Sequence, residues 1–199
     1  TYVYDYLNRI TSLGFSNSTT TYGYDAFGQR VTQVGTTTTS IYPFKWYSIA
    51  STTGAGAKYS TTTVSVSAGD NILATVEQQL NAGSASGAAQ TRYIHPDHLG
   101  STNVVSDENG ALIEAIDYYP FGQPRIVTGS STPQRQYIGE YFDPNSSLSY
   151  LNARYYESSR GQFLSQDPVF WGSQNLQNPQ SLNSYAYAED NPISKKDPT

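Results

Sequence analysis

Apolar residues in this chain recur at every second position over short runs, and each run is closed by Asp, Asn, Gly or Pro. Tyr2-Val3-Tyr4 runs into Asp5, and Tyr22-Gly23-Tyr24 runs into Asp25. Alternation puts both tyrosine rings of each run on one face of a strand. The Asp, with Asn8 or Gly28 behind it, reverses the chain by bonding to nearby backbone and by tolerating positive φ. Arg9-Ile10 and Arg30-Val31 then open the return strands. A hairpin of this kind cannot bury its own face and has to stack on neighbours.

The same punctuation returns at Asp97-His98-Leu99-Gly100 and Tyr119-Pro120-Phe121-Gly122. Residues 102–106 and 111–118 flank Asp107-Glu108-Asn109-Gly110, where Asn-Gly is a strong hairpin signal. Residues 150–156 read as one strand, with Tyr150, Asn152, Arg154 and Tyr156 on one face, pairing with 162–166 across 157–161. Ile72 to Glu77 also fits helical spacing, but its position across Ala68-Gly69-Asp70-Asn71 from the β-branched run 61–66 predicts a strand. Residues 81–90 are small and polar and read as a loop. The prediction is all-β: successive antiparallel hairpins forming a curved, spiralling sheet, with at most one short helix near 179–187. Residues 1–90 form the hairpins and connecting strands, and 91–199 a second domain.

Composition sharpens this. Hydrophobic residues make up 37% of the chain, below the usual 45–50%, so a thin sheet fits better than a dense core. The 18 Tyr suit strands with one packed side and one wet side. A net charge of −5 with 14% charged residues lacks the basic footprint of a nucleic-acid binder. No apolar run approaches the length of a membrane span. The absence of Cys removes disulfides, thiolate chemistry and Cys-based zinc sites. With no Met, the chain is expected to begin inside a longer reading frame.

His95 and His98 flank Pro96-Asp97, but Pro96 and Gly100 make a tight turn whose two imidazoles need not converge. No metal and no cofactor are assigned. Asn17-Ser18-Thr19 and Asn145-Ser146-Ser147 fit a glycosylation pattern that arises by chance in Ser/Thr-rich sequence. Residues 107–110 are a turn without the ligand series of a calcium loop. Lys195-Lys196 reads as a solvated pair beside Asp197.

These residues carry a family resemblance. The Tyr-Asp hairpins of residues 1–34 resemble the YD repeats of Rhs (rearrangement hot spot) proteins. The run from Tyr93 to Ser101, Asp117-Tyr118-Tyr119-Pro120-Phe121-Gly122, Tyr150-x-Asn152-x-Arg154-Tyr155-Tyr156, Gly161-Gln162-Phe163-Leu164-Ser165-x-Asp167-Pro168 and Asn191-Pro192-Ile193 ahead of Asp197-Pro198 resemble the Rhs-repeat-associated core domain. The resemblance implies a β-strip that winds into a shell around a C-terminal toxin or effector, in a secreted or cell-surface bacterial protein. Its partners would be its own upstream YD repeats and that cargo, with no nucleic acid. It also implies self-cleavage after the last Asp-Pro segment, with Arg154, Asp167 and Asp197 at the catalytic positions. Two carboxylates close together share a proton, and a guanidinium fixes their geometry.

Three departures from the family pattern stand out. The loop from Phe170 to Pro179 lengthens the Asp167–Asp197 interval. The chain stops at Thr199, ahead of the bond to be cut, so this polypeptide is expected to perform no turnover, and its parent at most one. Ser147 stands where the family carries Gly, so a different backbone is expected there. The alternative reading is a cell-surface adhesive or filament module that pairs strand edges with further copies of itself.

Overall fold

Three of the Asp-led reversals, at Asp25, Asp97 and Asp107, are built alike. In the computed structural model, which describes residues 1–15, 18–52, 59–129, 133–167 and 179–197, Asp25 Oδ1 accepts the backbone N–H groups of Phe27 and Gln29 at 2.9 and 2.8 Å. Gly28 N donates to Asp25 O at 3.1 Å, and Asp25 N to Gln29 O at 2.9 Å. Asp97 and Asp107 repeat all four bonds to within 0.1 Å. The fourth residue is left-handed in each, with φ 84° at Gly28, 89° at Gly100 and 80° at Gly110. That conformation suits glycine and explains its spacing behind Asp. One extra residue bulges out of the return strand, so Gly23 faces Thr32 while Tyr24 faces Arg30. Residues 170–178 of the expected loop, with Asn17, Pro168, Pro198 and Thr199, lie outside the described residues.

The chain divides into two compact units. The first comprises Thr1–Asp5, Ile10–Ile94 and Ser106–Ala111. In it, β1 (Tyr2–Tyr4), β2 (Ile10–Phe15), β3 (Ser18–Tyr24), β4 (Arg30–Val34), β5 (Thr38–Phe44), β6 (Tyr47–Thr52), β7 (Tyr59–Ala68) and β8 (Asn71–Asn81) pair antiparallel in chain order. β9 (Ser84–Ala85) folds back on one part of β8, and β10 (Gln90–Pro96) pairs with another. The 72–77 segment is therefore a strand, with Val66 opposite Ala74 and Val64 opposite Val76. Residues 81–90 differ from the expected loop: Ala82 and Gly83, at φ 50° and 84°, reverse β8 into β9. Two consecutive positive φ values match the twist of a two-residue hairpin.

Ile10, Leu13, Tyr22 and Ile94 are buried in this unit among Thr20, Ser48 and Thr63. Arg30 is buried as well, its guanidinium 4.6 Å from the Tyr42 ring centroid and 6.0 Å from that of Tyr22. The electron-rich faces of the two tyrosine rings attract the cation. The Tyr24 hydroxyl donates to Ile10 O at 2.6 Å.

The second unit comprises Tyr6–Arg9, His95–Val105 and Leu112–Thr199. β11 (Thr102–Ser106), β12 (Leu112–Tyr118) and β13 (Pro124–Gly129) follow in order, and a separate sheet runs β14 (Tyr141–Asp143), β15 (Leu148–Leu151), β16 (Arg154–Glu157) and β17 (Gln162–Phe163). Its core is aromatic: Tyr137, Tyr156, Phe163 and Tyr187 with Ile138, Leu151 and Ala188, against which Leu99, Tyr118 and Phe121 pack. Tyrosine serves here because its ring fills the core while its hydroxyl satisfies loop carbonyls. Tyr137 donates to Pro120 O at 3.0 Å, Tyr156 to Phe121 O at 2.8 Å and Tyr118 to Thr102 O at 2.9 Å. The 119–122 turn is thus held from two sides. A Cβ on Gly122 would lie 2.3 Å from the Tyr137 ring, so this position is confined to glycine.

Helical structure among the described residues is limited to three short 3-10 turns, Tyr137–Gly139, Pro179–Leu182 and Ala188–Asp190. The second is the one expected after Pro179. The single strand expected over 150–156 is a correction. The chain reverses at Asn152-Ala153, with Leu151 opposite Arg154 and Tyr150 opposite Tyr155. Asn152 takes φ 54° and Ala153 N donates to Leu151 O at 2.6 Å, a tight turn that asparagine tolerates better than most residues. Arg154 and Tyr156 do share a face, but Tyr150 is on the other.

Candidate functional site

Arg154 is the first residue of β16, immediately after that reversal. Its side chain is only 3% exposed. It shares a face with Tyr156, whose cross-strand neighbour is Phe163, and the guanidinium carbon lies 3.6 Å from the Phe163 ring centroid. Nη1 donates to Ser184 O at 3.3 Å. Nη2 lies 3.4 Å from Asp167 Oδ2 and 3.4 Å from Asp197 Oδ2. Nε is buried without a hydrogen-bond partner. Asp167 is set by its own backbone, whose N–H donates to the same Ser184 carbonyl at 3.0 Å. The three residues singled out in the sequence are therefore brought together on one nitrogen.

Two opposing effects act on the arginine. Burial lowers its pKa, and the charges of Asp167 and Asp197 raise it in opposition. A guanidinium remains protonated under such a load. Each contact is longer than the 2.7–2.9 Å of a strong charge-assisted bond, so neither carboxylate is clamped in a fork. The acids also differ in wetting: the Asp167 side chain is 27% exposed and that of Asp197 14%. Tyr187, wholly buried, packs at a tilt to Tyr156 and Phe163, with ring centroids 4.6 and 6.0 Å away. Its pKa is raised chiefly by burial, then by neighbouring tyrosines and Asp197. Together these give a desolvated cation, two acids of unequal exposure and an apolar floor.

Sequence reasoning missed several parts. The Ser184 carbonyl leaves no trace in residue type, since it is a backbone group. Phe163 was legible, because period-two pairing of β16 with β17 puts it opposite Tyr156. His95 is exposed on β10, whereas His98 Nε2 lies 2.8 Å from Ile193 O. Among the described residues no group of three or more His, Cys, Asp or Glu is arranged to hold a metal. Lys195 pairs with Glu189. Asn145 is exposed, its N–H donating to Asp143 Oδ1 at 3.1 Å within a turn. Ser147 keeps the left-handed backbone that glycine would give, at φ 56°.

A meander of Tyr-Asp hairpins ending in an aromatic unit that gathers one arginine and two aspartates defines an Rhs/YD-repeat shell protein. The chain belongs to the teneurin YD-shell family, whose model matches residues 84–193. It is 30% identical over 201 aligned positions to the tRNA3(Ser)-specific nuclease WapA of Bacillus spizizenii, an alignment covering 98% of this chain and 8% of that protein. It is 36% identical over 121 positions to the toxin protein Tse5 of Pseudomonas aeruginosa, covering 58% of this chain and 8% of that one. The crystal structure of TcdB2-TccC3 shares the fold, with a TM-score of 0.84 at 18% identity over 99% of this chain and 10% of that one. The chain thus spans about a tenth or less of these longer proteins.

Proposed function

We propose that this chain is the C-terminal part of a shell wall that encloses a toxin or effector carried on the same polypeptide, in a secreted or cell-surface bacterial protein. Membership of the YD-shell family supports the wall. Similarity to proteins named as a nuclease and a toxin supports the class of cargo. We further propose that the parent chain cuts itself once, beyond Asp197, using Arg154, Asp167 and Asp197. The observation that carries this is the single buried nitrogen, Arg154 Nη2, placed 3.4 Å from an oxygen of each acid.

The proposed chemistry needs one acid protonated and the other ionised when the bond is cut. The ionised carboxylate takes a proton from water, and the water oxygen bonds to the scissile carbonyl carbon. The protonated carboxylic acid hands its proton over, first toward the carbonyl oxygen. Collapse then breaks the C–N bond: the acid that took the water proton gives it to the leaving nitrogen, and the other regains its proton from the hydroxyl as the carboxyl product forms. Arg154 keeps the acids adjacent and offsets the charge that builds up. Because the bond cut belongs to the catalyst's own chain, the event happens once per molecule.

The test is expression of the full-length parent protein, with gel analysis of Asp167→Asn and Asp197→Asn variants. The expected result is an uncut chain for each. Normal processing by either variant would remove the catalytic role. Enclosure is tested separately by protease digestion of the intact particle, in which the cargo is expected to survive.

A further inference from the structure

We infer that His98 is a positioning residue that pins the terminal segment and so delivers Asp197 to Arg154. The inference rests on the self-cleavage reading above. His98 Nε2 and Ile193 O are 2.8 Å apart across 95 residues of sequence. The contact needs a proton on Nε2, so the imidazole donates and the carbonyl accepts.

Its base is rigid. Asp97 Oδ1 accepts the N–H groups of Leu99 and Ser101 at 2.9 and 2.8 Å. Leu99 packs on the aromatic core, and Ser101 Oγ accepts Ile138 N–H at 3.0 Å. Thr102 Oγ1 donates to Arg135 O at 2.8 Å, and Thr102 N to Gln136 O at 2.9 Å. The histidine is therefore presented from the best-tied reversal of the second unit.

What it holds is loosely packed. Pro192 is buried, but Ile193, Ser194, Lys195 and Lys196 are all exposed before the chain turns in again at Asp197. Ile193 itself is 60% exposed. Lys195 N–H closes a local turn on Asn191 O at 3.1 Å. The path of this segment helps set where Asp197 sits, 3.4 Å from its arginine. Reacting groups misplaced by about 1 Å lose roughly a hundredfold in rate. A bond to the Ile193 carbonyl fixes the point from which that segment runs to Asp197.

The experiment follows self-cleavage of the full-length parent protein with His98→Ala, His98→Gln and Asp167→Asn. His98→Ala is expected to slow cutting at least tenfold, and His98→Gln, which keeps an N–H donor, to restore most of the rate. The pH–rate profile of His98→Ala should keep its shape, because a positioning group carries no proton in the reaction. In the uncut Asp167→Asn background, adding His98→Ala should speed hydrogen exchange at the amides of residues 193–197. Cutting at the normal rate by His98→Ala while Asp167→Asn is inert would overturn this inference alone. Normal cutting by Asp167→Asn would overturn the reading beneath it. A slow Ala variant with a changed pH profile and no rescue by Gln would make His98 a proton carrier and refute the positioning role, as would unchanged exchange at 193–197.

Discussion

Ser147 illustrates how a backbone demand persists when the residue that meets it most easily is absent. The turn after Asp143-Pro144 needs a left-handed residue, and Ser147 supplies it at φ 56°. Ser146 Oγ accepts Leu148 N–H at 3.3 Å and donates to Asp143 O at 3.4 Å, which ties the turn together. A side chain beyond Cβ in this conformation costs about 1 kcal/mol, partly offset by the unfolded-state entropy that glycine adds. Ser147→Gly is therefore expected to raise unfolding stability by roughly 0.5 kcal/mol, read as a higher urea midpoint at unchanged slope. Ser147 is exposed, so no packing is lost. The expected change of backbone at this residue did not occur, because the turn's hydrogen bonds outweigh the local strain.

At the scale of elements, the Asp-x-x-Gly reversal is the repeating part. One carboxylate oxygen receives two backbone N–H groups in each copy, and a charged acceptor makes those bonds stronger than neutral ones. Asp25→Ala leaves two donors without their partner, and about 1–2 kcal/mol of stability should be lost. Asp25→Asn keeps an acceptor oxygen and should lose less than half of that; chemical denaturation of the two variants side by side checks the order. This element was legible in the sequence because its constraint is local: an acceptor at the first position and a left-handed residue at the fourth. The Asn152-Ala153 reversal was not legible, since Leu151 and Arg154 continue an aromatic run with no Gly or Pro between them. Its turn is favoured by packing, with Tyr150 and Tyr155 rings meeting across the two strands at 5.2 Å. The meeting of Arg154 with Asp167 and Asp197 came from family likeness rather than periodicity, because separations of 13 and 43 residues in the chain carry no geometric signal of their own.

At the scale of the whole molecule, stability in alkali is set by tyrosines. Tyr118, Tyr156 and Tyr187 all have pKa values raised above 10.0, chiefly by burial. Above that pH the unfolded chain releases these protons and the folded chain keeps them. The folded state then binds more protons, so stability falls as pH rises. The contribution is intact below about pH 10 and is lost from there upward, by up to ~1.4 kcal/mol per pH unit for each such tyrosine. Denaturation midpoints followed from pH 8 to 12 should be flat and then drop, and Tyr118→Phe should shallow the drop. Phenolate absorbance in the native state should lag behind that of the unfolded chain.

The arginine that binds both acids has a consequence for truncation. A chain broken off before residue 197 keeps a guanidinium sealed in the interior with one counter-charge where there should be two. Losing one partner of a buried pair is destabilising by several kcal/mol, on the order of 3–5. The stretch that carries Asp197 is therefore needed for the interior of the second unit to settle.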